Sequence, residues 1–279
     1  DSLTRTYNSF KNAGWTIAGT GTYVGPVGSK VRGWDLIGGD WDYTGDGSKW
    51  VLSKWKGNMS GGSHPSISVP RAITTYDTFN TAITNACFYA NKTLTSVDCN
   101  SVPFNGTTGY RAFYGCTGLA TVSNMNIPSS VTRIDGMFQT CSNLKSVSSV
   151  GSIANNGEVN ITIPNSVTTL ASMFLGCKNI NSFNIRGGTG VTTIATMFSG
   201  CNTQPLNIRI ECPNLATVST AFASYNGSFK KNVGIYFNYK NGEATATYKA
   251  LQTAFFKGSS EASNAKMNLY FYNIGECPV

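Results

Sequence analysis

Histidine is almost absent from this chain: His64 is the single one in 279 residues. Any Ser-His-Asp or Cys-His machinery has to run through it. It stands in the stretch Gly61-Gly62-Ser63-His64-Pro65, where a solvated loop histidine is the default reading. Charge is scarce as well. Only 12% of residues are Asp, Glu, Lys or Arg, about half the share usual in soluble domains, so the surface has to be built from Ser, Thr, Asn and Gly. Long apolar runs are missing: none approaches the ~20 residues that cross a bilayer as a helix, and membrane insertion is not expected. No basic segment followed by an apolar one marks a signal peptide. The chain opens at Asp1 and reads as a mature product or an excised fragment.

Eight cysteines contain no Cys-x-x-Cys pair, whereas a structural zinc site needs closely spaced Cys or His ligands. Neither metal nor cofactor is expected. Eight of the thirteen acidic residues lie beyond residue 70, at scattered positions, and nothing singles out the carboxylate pair of a glycosidase. The chain is therefore read as a non-enzyme. Its net charge of +8 is spread over the chain, with Lys230-Lys231 the only adjacent basic pair. A nucleic-acid binder would gather such residues on one face, so nucleic acid is not an expected partner, while a mild attraction to anionic cell surfaces is. Two near-motifs fall away. Asp40-x-Asp42-x-x-x-Asp46 has Val51 where a calcium loop needs its bidentate Glu, leaving an acidic turn as the default. Gly19-x-Gly21-x-x-x-Gly25 misses the dinucleotide spacing.

What the chain does have is a repeat. A phenylalanine preceded by Met or Ala recurs as Phe113, Phe138, Phe174, Phe198, Phe222 and Phe255, with Phe88 as a degenerate first copy. Successive rings are 25, 25, 36, 24, 24 and 33 residues apart, a unit of about 24 residues with two insertions. Other positions keep the register. Cys116, Cys141, Cys177 and Cys201 follow at +3, Leu94, Leu119, Leu144 and Ile180 at +6, and Val97, Val122, Val147 and Phe183 at +9. Ile134, Leu170 and Ile194 precede at −4, and Val131, Val167 and Val191 at −7. Apolar spacing of −7, −4, 0, +3 predicts a short helical turn with one buried face. Alternation in Leu206 to Ile210, Ile235 to Tyr239 and Leu269 to Phe271 predicts strands. One such unit is too small to bury its own apolar face, so units must stack into a solenoid.

Met137-Phe138-x-x-Cys141-x-x-Leu144, preceded by Ile127-Pro128-x-Ser130-Val131-Thr132-x-Ile134, is repeated by Ile163 to Ile180 and by Met197 to Cys201. This pattern resembles the BspA-like leucine-rich repeats of bacterial surface proteins, and is similar to segments of some protozoan surface proteins and phage appendages. The resemblance covers about residues 72–279. It implies a leucine-rich-repeat-like α+β solenoid of strand plus short helical turn, and a role in adhesion. The last two units depart from the pattern, with Tyr225 and Gly258 at the cysteine position, as terminal units do where a solenoid is capped.

Four cysteines at one repeat position read as a ladder of buried thiols, since units translated in parallel aim their sulfurs the same way, a poor geometry for bridging. Cys87, Cys99, Cys212 and Cys277 fall outside the ladder, and a disulfide among them is left open.

All five tryptophans lie before residue 56. This shift divides the chain into 1–70, a small Trp/Gly-rich β domain or cap, and 71–279, a solenoid of about seven units, with 57–70 as the connection. The tryptophans read as core or cap; a sugar-stacking platform and a mount onto a larger assembly are the alternatives.

Polar alternates of the strands should form one extended surface. They are Asn184, Arg186, Asn207, Arg209, Tyr236, Asn238, Lys240, Tyr270 and Tyr272, joined by Asn268. Tyr, Arg and Asn are favoured at recognition surfaces, and this face is the expected ligand-binding site. The inserted loops Ser148–Val159 and Asn238–Thr247 are its rivals, because insertions gather on one edge of such arrays. The expected function is extracellular recognition or adhesion, with a protein or glycan on a cell surface as partner. The alternative is a structural or receptor-binding subunit of a virion, phage tail fibre or other appendage, self-assembling through the N-terminal part.

Overall fold

The computed structural model describes residues 88–201 except 105, together with 207–212, 214 and 221; elsewhere it describes the backbone of short strands. Phe222, Phe255, Tyr225, Gly258, His64, Lys240, Cys87, Cys277, the loop at 239–247 and the tryptophan side chains lie outside the described residues.

Strands β1 (Thr16–Ala18), β2 (Thr22–Val24), β3 (Trp41–Gly45), β4 (Trp50–Trp55) and β6 (Thr75–Tyr76) make a five-stranded sheet, antiparallel except for the parallel β4/β6 pair. The second sheet is parallel throughout. It runs from β5 (Ser66–Ser68) through β7 (Ser96–Asp98), β8 (Thr121–Met125), β9 (Ser146–Ser149), β10 (Glu158–Ile163), β11 (Ser182–Gly187), β12 (Asn207–Ile210) and β13 (Ile235–Asn238) to β14 (Leu269–Tyr272). Each strand is one rung of the repeat. Val97, Val122, Val147, Val159, Phe183 and Ile208 share one inward row and are fully buried. The core so built is continuous from Phe88 to Ala221.

The predicted helical turn is not a helix, and no helix occurs among the described residues. Around Phe138, alternate amides turn inward and onward. Met137, Gln139 and Cys141 donate to the carbonyls of Ile134, Gly136 and Phe138 within the unit, three residues back. Gly136, Phe138 and Thr140 donate instead to Ala171, Met173 and Leu175 of the next unit. The same alternation recurs around Phe113 and Phe174. It requires left-handed backbone two residues either side of each ring: Arg111, Gly136, Ser172 and Thr196 on one side, and Ala90, Gly115, Thr140, Gly176 and Gly200 on the other, with φ from 52° to 78°. L-residues pay roughly 1–2 kcal/mol for that conformation, which the inter-unit hydrogen bonds offset. Serial three-residue turns bury −7, −4, 0 and +3 just as a helix does, so the apolar spacing is right while the element is not.

Rings of Phe88, Phe113, Phe138 and Phe174 stack at centroid separations of 5.0, 5.2 and 5.6 Å, nearly parallel. The spine then changes. Phe183 of β11 inserts edge-on between Phe174 and Phe198, 5.1 and 4.9 Å away. Cys116, Cys141, Cys177 and Cys201 form the expected ladder of free, buried thiols. Each donates its S–H to the carbonyl of the phenylalanine one unit back: Phe88, Phe113, Phe138 and Phe174, at 2.8 to 3.2 Å. That bond accounts for a cysteine where any small apolar residue would fill the space. Cys99 and Cys212 are buried as well, and no disulfide joins the two.

The close approach of successive units has a consequence at Gly190. An added Cβ would run into the carbonyl oxygen of Asn165 and lie 2.9 Å from that of Val167, both backbone atoms that cannot swing away. Gly190→Ala is expected to cost about 1–3 kcal/mol, as overpacking does, read as a lowered midpoint of urea unfolding. An unchanged midpoint would mean the units can separate locally at no cost.

Candidate functional site

The strands set the outer face of the sheet by parity: residues flanking the buried row point away from the core. Register aligns Ser68, Asp98 and Ser123 on one side of an irregularity between Val122 and Met125, and Ser148, Asn160, Asn184, Arg209, Tyr236 and Tyr270 in one backbone row on the other. Small residues occupy its early rungs and large polar or aromatic ones its late rungs. At about 4.8 Å per rung, Asn184 to Tyr270 spans about 14 Å. Asn238 pairs with Tyr272 one row further on, Arg186 pairs with Thr162, and Asn207 pairs with Ser182 in the row before. The backbone thus brings Asn184, Arg209, Tyr236 and Tyr270 into a single line and sets Arg186, Asn207, Asn238 and Tyr272 in flanking rows.

The insertion read as a loop is more than that. Only residues 150–157 form the loop, because β10 is an additional strand in the sheet with no phenylalanine turn of its own. Its connection also runs over the wrong side. Ser146, Asn160 and Arg186 face away from the core, and they hold the segment. Ser146 Oγ donates to the Ala154 carbonyl (3.2 Å), Asn160 Nδ2 to the Ile153 carbonyl (2.7 Å) and Arg186 to Ser152 Oγ (2.7 Å). Asn155, through its backbone amide and its side chain, donates to Glu158 Oε2 at the loop's end. The crossover therefore lies on the polar face, opposite in hand to the coils beside it. It covers Ser148, which is buried despite its outward parity.

Three of the expected site residues, Asn184, Arg186 and Arg209, are occupied in part by the protein itself. Asn184 Nδ2 reaches Asn160 Oδ1 at 3.4 Å, and Arg186 reaches the same oxygen at 3.3 Å. Arg209 pairs with Glu211 at 3.4 Å, and Glu211 also accepts the Gly187 amide at 3.1 Å. Polar capacity is left over. Asn184 Oδ1, Arg186 Nε and Arg209 Nε are buried from water without a hydrogen-bond partner, a costly arrangement unless something else satisfies them.

A second polar cluster on the turn edge escaped the sequence reading. Arg111 lies between the rings of Tyr110 (5.0 Å) and Tyr114 (4.8 Å), and Tyr114 stacks on Tyr89 at 5.2 Å. Arg133 covers Tyr110 at 4.7 Å and is clamped by both oxygens of Asp135. Its signal was available: Tyr89 and Tyr114 repeat one residue after Phe88 and Phe113.

The thiol ladder is chemically quiet. Burial pushes the Cys116, Cys201 and Cys212 thiols up to about 12 and raises those of Cys141 and Cys177, so none supplies a thiolate nucleophile near neutral pH.

Comparison with known proteins agrees with this architecture. No curated protein matches the chain. A crystal structure of a leucine-rich-repeat protein from T. pallidum is 18% identical, with 71% of this chain and 83% of that one aligned at a TM-score of 0.36. The model of the BspA-type leucine-rich-repeat region matches in six copies over residues 71–159 and 152–230, more than half of the chain. Those spans take in the phenylalanine turns from Phe88 to Phe198 and the whole thiol ladder, and the chain belongs to the BspA-type leucine-rich-repeat family.

Proposed function

We propose that this protein is an extracellular recognition module that binds a cell-surface protein or glycan through the outer face of its nine-stranded sheet. Leucine-rich-repeat families generally mediate protein–protein interaction and are typically non-enzymatic scaffolds. BspA-type members are often surface-associated, and no helix among the described residues is long and apolar enough to cross a membrane. The observation that carries the reading is the unbroken backbone register of Asn184, Arg209, Tyr236 and Tyr270, residue types common at recognition surfaces on successive rungs. Asn207, Asn238, Lys240 and Tyr272 extend the proposed surface, with Arg186 at its border.

The test is a triple substitution, Tyr236→Ser with Tyr270→Ser and Tyr272→Ser, screened against arrays of purified cell-surface ectodomains and of glycans. Wild-type protein is expected to give specific hits that the triple variant loses, with the thermal midpoint nearly unchanged. Hits that survive all three substitutions would move the site elsewhere.

A further inference from the structure

Among the described residues only two large apolar side chains are exposed, and both belong to the segment that crosses the polar face: Val150 at 48% and Ile153 at 81%. An exposed isoleucine on a floppy loop would mean little. This one is held from beneath, its own carbonyl bonded to Asn160 and its neighbours Ser152 and Ala154 to Arg186 and Ser146. Its apolar surface is therefore presented with little ordering left to lose on binding, which favours association. The anchor beneath is a cation. Arg186 finds only neutral oxygens, Ser152 Oγ and Asn160 Oδ1, its Nε is unsatisfied, and no carboxylate pairs with it in the described structure.

We infer that the segment 150–157 is a docking plug. Ile153 enters an apolar pocket on a partner protein, and a carboxylate of that partner pairs with Arg186 at the plug's base. This rests on the sheet face being the recognition surface, and it narrows the partner class from protein or glycan to protein. Branched aliphatic carbons offer a sugar neither a stacking plane nor a hydrogen bond, whereas an apolar knob beside a half-buried charge has the make-up of a protein interface centre. A second copy of a chain with net charge +8 brings like charge and is the poorer occupant.

A random-peptide phage library selected on the whole chain tests this, with an Ile153→Ser variant for counter-selection. Enriched peptides are expected to combine apolar residues with Asp or Glu. Their affinity should fall at least about tenfold on Ile153→Ser, as for a truncated central anchor. It should fall similarly when the peptide's Asp or Glu becomes Asn or Gln. Ile153 is exposed, so the variant should keep its thermal midpoint. Binders indifferent to Ile153, binders without acidic residues, or no binders at all would overturn the inference. If the triple tyrosine variant loses its array hits while Ile153→Ser keeps them, the plug fails and the sheet-face reading stands. If both variants keep them, both readings fail.

Discussion

Phe174→Ala is expected to lower the free energy of unfolding by about 3–5 kcal/mol, the range for emptying a fully buried phenylalanine site. The ring is completely buried, and it is the junction of the spine: stacked on Phe138 at 5.6 Å on one side and met by the edge of Phe183 at 5.1 Å on the other. Its backbone is fixed independently. The amide bonds to Met197, and the carbonyl accepts both the Cys177 amide and the Cys201 thiol. The hole can therefore collapse little, which places the cost at the upper end of that range. Stability in a solenoid passes from unit to unit, so hydrogen exchange should speed first at the amides of Phe174, Gly176 and Phe198. An unfolding midpoint equal to that of the wild type would mean the ring is not a core element, and the stacked spine would have to be abandoned.

Alkaline pH should unfold the protein between pH 9 and 12, and the thiol ladder should be a main cause. Five thiols, those of Cys116, Cys141, Cys177, Cys201 and Cys212, are raised above their ordinary 9.0 by burial. The folded chain keeps these protons to about pH 12 at Cys116, Cys201 and Cys212, while the unfolded chain releases them above about 9. Above pH 9 the unfolded state therefore binds fewer protons, and stability falls as pH rises. The stabilisation is complete below pH 9 and gone once the folded thiols ionise. Each thiol contributes a slope of roughly 1.4 kcal/mol per pH unit within that window. Cys177→Ser keeps a donor for the Phe138 carbonyl but no group that ionises in this range. Its stability measured against pH should lose one such slope relative to wild type. Identical slopes would show the thiol to be already accessible to water. The same burial should leave the ladder unreactive toward thiol reagents at neutral pH until the chain unfolds.

Much of the fold could be read directly from residue spacing. Phe113, Phe138, Phe174, Cys141 and Leu144 recur at fixed offsets because each rung must bury the same face against the next, and the buried set matches those offsets closely. Asn184, Arg209, Tyr236 and Tyr270 stand at alternate strand positions in the sequence, and register lines up their backbones. The plug was not recognisable. Val150 and Ile153 sit in an insertion whose sequence says only that residues were added, and nothing local states that they cross the face carrying Asn160 and Arg186.

Sequence alone determined the repeat, the members of the core, the thiol ladder and the family, because apolar burial depends on side-chain type at a given spacing. The tertiary structure decided how the backbone amides are shared. Whether the amide of Phe138 bonds within its own unit or to Met173 depends on a neighbour 35 residues away, and side-chain periodicity is the same for both outcomes. It likewise decided that β10 adds a rung and that the crossover before it lies outside the core, since a connection's side is fixed by partners such as Arg186, far along the chain from Ser152.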